Sequence, residues 1–282
     1  MAFHRFEELT WPEVSALNKD KTILFLPLSP IEEHGPHLPL GTDFFAARDI
    51  AVSACEMALK EDPALDVVLM PVIPLGCSDT TADFPGTVSL RGITLARVVS
   101  DVCESLAKFG FRYVVISNHH LDPVHIKAIL TGIAEVESRY DVRIIETGGR
   151  IVYSGMKTEE DEMIRKMGLE PQKEIHADVK ETSFVVFQYP TLVKDNLEDI
   201  PPVMVDLERC LKEGRKTFKA MGAGQGYMGS PGKATKELGR VHLEEGARLT
   251  ADMALRLIRG EGLPEINDRM KAVLERHIRL DR

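Results

Sequence analysis

What most constrains this 282-residue chain is a regular alternation of short apolar runs with longer segments of helical spacing. Residues 22–27 (TILFLP), 66–73 (DVVLMPVI), 112–117 (RYVVIS) and 142–145 (VRII) are rich in Val, Ile and Leu. Continuous apolar runs of this length suit strands buried on both faces. Between them, residues 44–59, 94–109 and 123–140 carry the spacing of helices. Strand alternating with helix predicts a mostly parallel sheet covered on both sides, an α/β fold. Further helices are expected over 159–167, 181–187, 205–221 and 241–258, with the glycine-rich stretch 222–232 (GAGQGYMGSPG) as a loop. That loop reads as an ordinary connector or a functional one. It is no phosphate-binding P-loop, because Lys233 is followed by Ala234 rather than Ser or Thr.

No repeat, low-complexity tract or Pro/Gly/Ser-rich linker interrupts the chain, so residues 1–282 are read as a single domain. The formal net charge of -9 offers no broad cationic surface to nucleic acid. No run approaches the ~20 apolar residues that span a bilayer, and the first residues lack the apolar core of a signal peptide. A soluble cytoplasmic protein is expected. Cys55, Cys77, Cys103 and Cys210 are far apart and form no CxxC pair, which points to small buried hydrophobes rather than a zinc or redox site.

Polar residues gather immediately after two of the strands. PLSPIEEHGPHLPLGTD follows the first and NHHLDPVH follows the third. Ligands of open parallel sheets bind beyond the carboxyl ends of the strands, so these loops are expected to meet at one edge. Six of the nine histidines (His34, His37, His119, His120, His125 and His176) fall in three short segments, each with a carboxylate nearby. Imidazole and carboxylate together form the ligand set of zinc, manganese and iron hydrolases. In an extended segment Glu32 and His34 point to one side and Glu33 to the other. His120 and Asp122 repeat that spacing. With Asp43, whose two oxygens can bridge, they make five candidate donors for two divalent ions about 3.5 to 4 Å apart. His37 and His125 are read as neighbours of the site, and His4, His242 and His277 as surface residues. The acidic run Glu159-Glu160-Asp161-Glu162 is read as a solvated helix start.

Four motifs in order, over roughly residues 5 to 260, resemble the creatininase family. Glu32-Glu33-His34 followed nine residues later by Asp43 is similar to its first signature. Gly76-Cys77-Ser78 with Phe84-Pro85-Gly86-Thr87 resembles its second, Asn118-His119-His120 its third, and His176-Ala177 with Glu181-Thr182-Ser183 its fourth. The resemblance implies a three-layer α/β/α sandwich, commonly a homo-oligomer (a hexamer), that hydrolyses a C–N bond of a small-molecule substrate at a dinuclear centre. In it, Glu32 and His120 would hold one ion, His34 and Asp122 the second, and Asp43 would bridge. His176 would shuttle a proton to the leaving group, while Glu181 and the backbone around Ser78 would orient ligands or substrate. The chain departs from the family at Thr80 and Thr81, where many members carry Glu-His, at His119, usually glycine, and at Asp122, often glycine or glutamate. These departures bear on substrate contacts. Members acting on creatinine enclose it with tryptophans ahead of the His-Ala motif, whereas Trp11 is the one tryptophan here. Creatinine is therefore not the expected substrate. Ring opening of an oxidised inositol-type ketone at a C–C bond, or a catalytically silent binding protein, are the rival readings.

Overall fold

The computed structural model describes residues 3–194 and 196–281. Its five-stranded sheet contains β1 (His4–Arg5), β2 (Thr22–Pro27), β3 (Asp66–Leu69), β4 (Tyr113–Ser117) and β5 (Arg143–Glu146), in the order β1-β3-β2-β4-β5. All four pairings are parallel. The helices are α1 (Trp11–Ala16), α2 (Thr42–Glu61), α3 (Gly92–Lys108), α4 (Pro123–Glu137), α5 (Gly148–Tyr153), α6 (Glu159–Lys166), α7 (Val179–Gln188), α8 (Leu207–Lys212), α9 (Phe218–Met221), α10 (Lys236–Arg259) and α11 (Asp268–Arg276).

Because successive strand residues face opposite ways, β2 feeds two cores at once. Leu24 and Leu26 pack with Leu95, Val99 and Cys103 of α3 and Ile129 and Ile133 of α4. Ile23 and Phe25 pack on the other face with Ala51, Ala54 and Cys55 of α2 and Ala251 and Ala254 of α10. This is a three-layer α/β/α sandwich with a parallel sheet. All four cysteines are buried and free. Among the described residues no helix is long and apolar enough to cross a membrane.

Several boundaries differ from the sequence reading. The run 66–73 leaves the sheet at Met70, whose N–H still bonds Phe25 O, because Pro71 follows and has no N–H to continue the ladder. The expected helix over 205–221 is two helices, broken where Gly214 adopts φ 75°. Strand β1, a two-residue edge strand, and helices α1, α5 and α11 had no reading.

The chain steps from β2 outward to β3, then crosses back so that β4 flanks β2 on its other side. The strand order thus reverses at β2, and a crevice opens there beyond the strand ends. Pro27 pairs with Ser117, so the segments leaving β2 and β4 emerge side by side. The expected convergence of these two loops is present.

Candidate metal centre

The β4 exit is fixed by Asn118, whose Oδ1 accepts from the Ser29 hydroxyl (3.1 Å) and from the His120 N–H (3.0 Å). Its Nδ2 donates to His120 O (2.7 Å) and to the buried Glu146 (3.0 Å). The first strand's exit is thereby tied to the third's. Asp43 lies in the first turn of α2, where the partial positive charge of the helix end favours a carboxylate. Val179–Gln188, started by the Asp178 cap, carries Glu181 to the same place.

His34, His120 and His176 each have one nitrogen held by a backbone carbonyl and the other turned toward carboxylates. His120 Nε2 donates to Cys77 O (2.8 Å), leaving Nδ1 at 3.1 Å from both Glu32 Oε1 and Asp43 Oδ2. His34 Nδ1 donates to Glu32 O (3.1 Å), leaving Nε2 at 3.7 Å from Asp43 Oδ1 and from Glu181 Oε2. His176 Nε2 donates to Glu33 O (2.9 Å), and its Nδ1 lies 3.7 Å from Glu32 Oε1. Fixing one ring nitrogen in this way sets the tautomer that presents the other as a metal ligand. Three groups of donors result: Glu32, Asp43 and His120; His34, Asp43 and the partly buried Glu181; and Glu32, His34 and His176.

The donor set fits divalent ions. Glu32 Oε1 and His34 Nε2 are buried and find no hydrogen-bond partner among the described residues, an arrangement that is costly without a cation. The field of the carboxylates favours charge on the rings. Burial disfavours charge on His34, yet Asp43 and Glu181 outweigh it and raise its pKa to about 10. His120 is likewise raised against burial, chiefly by Glu32. Burial would raise Glu32, but His120 and His176 bring it down to about 2. Asp43 is held well below its usual range, with His34 and its hydrogen-bonding neighbours overcoming burial.

Of the other residues singled out by sequence, Thr81 donates to Glu32 Oε2 at 2.8 Å and Ser78 is fully buried beside it, its N–H bonded to Ser89 Oγ (2.9 Å). Thr80 reaches Asp122 instead. The structure does not bring Asp122 into the donor groups. It caps α4, accepting from Val124 N (2.8 Å), with its second oxygen facing the Thr80 hydroxyl (3.1 Å). Glu181, not Asp122, lies with His34 and Asp43 in a group of potential donors.

His37 and His125 are structural neighbours. His125 accepts from Cys77 N (3.2 Å) and donates to Asn118 Oδ1 (3.1 Å), and burial with cationic His120 nearby pushes its pKa well down. His37, brought down to about 4 by burial, bonds Thr182. Glu33 accepts from Gly35 N (2.9 Å), and its other oxygen lies 3.5 Å from His176 Nε2, across the ring from Glu32.

The glycine-rich segment is more than a connector, since Met228 exchanges both backbone hydrogen bonds with His176. Gly226, at φ 75°, passes so close to the Glu33 carboxylate that a Cβ there would collide.

Two residues escaped the sequence reading. His242 and Glu160, read as solvent-facing, turn inward, with His242 Nε2 2.8 Å from His119 Nε2 and its Nδ1 2.5 Å from Glu160 Oε1. The available signal was weak: His242 shares a helix face with Leu238 and Glu245, both buried.

Fold and site together define a metal-dependent hydrolase. The creatininase family model, described as creatinine amidohydrolase, matches residues 7–254. The chain belongs to the creatininase family. It is 31% identical over 209 residues to the creatinine amidohydrolase of Pseudomonas putida, covering 69% of this chain and 76% of that one. It is 32% identical over 97 residues to the mycofactocin precursor peptide peptidase of Mycolicibacterium smegmatis, covering 34% and 39%. Among solved structures, a mutant creatininase complexed with creatine superposes with a TM-score of 0.72 at 24% identity, covering 90% of this chain and 98% of that one. A creatininase structure with Mn gives 0.71 at 23% identity over the same shares. These similarities in structure agree on the fold.

Proposed function

We propose that the protein hydrolyses a C–N bond of an amide or formamide, open-chain or cyclic, in a small molecule at a two-metal centre. Glu32 and His120 hold one ion, His34 and Glu181 the other, and Asp43 serves both. The carrying observation is the division of Asp43: Oδ2 faces Glu32 and His120, while Oδ1 faces His34 and Glu181. Nitrogen and carboxylate donors suit Zn, Mn or Fe. Divalent ions so held lower the pKa of water and polarise a carbonyl.

The chain's own residues do the rest. His176 sits at the rim of the donor cluster, its ring 4.6 Å from that of His34 and 5.0 Å from that of Phe218. Burial opposes its protonation, but contact with Glu33 and the field of Glu32 raise its pKa, and an imidazole so placed suits a proton shuttle to a departing amine. Glu181 Oε2 is anchored by the Ala177 N–H (2.6 Å), which couples the second ion's ligand to the backbone beside His176. Thr81 and His119 touch the cluster at Glu32 and Asp43, and with Ser78 and Thr80 they are proposed to contact the substrate. Trp11 is 81% exposed on the first helix, so it supplies no aromatic wall of the kind expected for creatinine.

The test is a metal-supplemented panel of amides, formamides, short peptides and cyclic ketones, read by product mass. A released amine or formate supports the proposal. Addition of water with no fragment lost supports the proposal when the substrate is a cyclic amide and assigns C–C ring opening on the same site when it is a cyclic ketone, and inactivity of loaded protein across the panel assigns a silent binding member. The expected homo-oligomer, a hexamer, is checked by light scattering.

A further inference from the structure

His119 occupies a position the family usually gives to glycine, and its side chain joins a line of four groups. His119 Nδ1 donates to Asp43 Oδ1 (2.8 Å), His119 Nε2 meets His242 Nε2 (2.8 Å), and His242 Nδ1 meets Glu160 Oε1 (2.5 Å). The two rings lie 5.0 Å apart between centroids, which leaves about one ring radius on each side of the nitrogen contact. They meet nearly end to end, the geometry of a hydrogen bond. An ion lying between them would be far closer to each nitrogen than the ~2.0 Å of a metal–imidazole bond, so this is no additional metal site.

The far end of the line is anchored twice. Glu245 accepts from the N–H groups of Glu159 and Glu160 (2.9 Å each), which fixes the start of α6 against α10. Since α10 also carries His242, Glu160 and His242 are held in one frame. The ring of Phe184 lies 5.7 Å from that of His242 and closes its flank. Burial disfavours the charged form of His242, but Glu160 outweighs it and raises its pKa, as expected for a charge-assisted contact.

We infer that His119, His242 and Glu160 are positioning residues that set the Asp43 carboxylate for the second ion. The inference rests on the reading of Asp43 as the shared ligand. On Asp43 the line touches only Oδ1, the oxygen facing His34 and Glu181, and leaves Oδ2 to Glu32 and His120, while His119 Nδ1 also lies 4.0 Å from Glu181 Oε1, again on the side of the second ion. A donor on one oxygen restrains rotation of the carboxylate, and groups that orient a ligand in this way typically govern 10- to 100-fold of metal affinity. Selectivity for one of two adjacent ions is the signature that general destabilisation would not produce.

The experiment is titration of Mn²⁺ or Zn²⁺ into metal-free full-length protein, resolving the two binding steps. His242→Ala touches no ligand, yet it is expected to weaken the second step by roughly ten-fold or more while leaving the first within about two-fold. His242→Gln, which keeps an N–H donor, recovers part of the loss. The double variant His119→Ala/His242→Ala binds no more weakly than His119→Ala alone, because His242 acts only through His119. An unchanged second step in His242→Ala, equal weakening of both steps, or full additivity in the double variant overturns the inference. Asp43→Ala separates the two levels. If it keeps both ions, the shared-ligand reading fails; if it loses them while His242→Ala is silent, only the positioning role fails.

Discussion

The hydroxyl of Thr81 donates to Oε2 of Glu32 at 2.8 Å, and both side chains are buried. One carboxylate oxygen is thereby satisfied by the protein and the other, Oε1, is left facing His120 and His176. Thr81→Val keeps the shape and removes the donor. It is expected to lower unfolding free energy by about 1–3 kcal/mol, the cost of a buried acceptor left unpaired. Thr81→Ser retains the hydroxyl and most of the stability. Chemical denaturation of the metal-free variants measures the difference.

Asp122 is expected to behave as a helix cap. Asp122→Ala removes the acceptor for Val124 N–H and the partner of Thr80, at a cost of about 0.5–2 kcal/mol. Asp122→Asn, a comparable cap, loses less. Metal content stays at the wild-type value in both. Loss of one ion from Asp122→Asn, with folding intact, would return Asp122 to the ligand set.

Metal-free protein is expected to lose stability as pH rises. The His34 pKa, raised to about 10 by Asp43 and Glu181 against burial, means that the folded state keeps a proton the unfolded chain releases near 6.5. That contribution is full below about 6.5 and disappears as pH climbs through 10. Bound ions replace the proton and bind better as the ring deprotonates, so their stabilisation grows with pH. Melting temperatures of chelated and loaded protein, measured across this window, should diverge. Parallel curves would contradict the assignment of His34 as a ligand.

Gly239 lies where α10 crosses α7, and a Cβ there would fall inside contact distance of Ser183 O, a backbone atom. Gly239→Ala is expected to cost about 1–3 kcal/mol through overpacking, despite alanine's better helix propensity. Because α7 carries Glu181, binding of the second ion should weaken as well. A denaturation midpoint at or above the wild-type value would show that the helices can part at no cost.

The sandwich was legible because a strand buried on both faces must be apolar throughout, and 22–27 and 112–117 have no other use for that composition. β1 was not, since His4 and Arg5 pair with β3 at the sheet's edge and are exposed, leaving no hydrophobic mark. In the site, Glu32, His34, Asp43 and His120 stood out because donors repeat at short spacing after two strands that end together. Asp122 shared that spacing, yet Asp before Pro123 is also the usual start of a helix, and this second signal describes its contacts. His242 and Glu160 reach the site from helices whose local sequence looks solvated. Only the packing of α10 against α6 turns them inward, and that is a tertiary fact.

One carboxylate, Asp43, is proposed to serve two ions. The most direct test of this role is metal content by mass spectrometry after loading and desalting of wild-type protein and Asp43→Ala. About two ions per chain are expected in the wild type, with near-complete loss of both in the variant. Retention of both ions by folded Asp43→Ala would contradict this role.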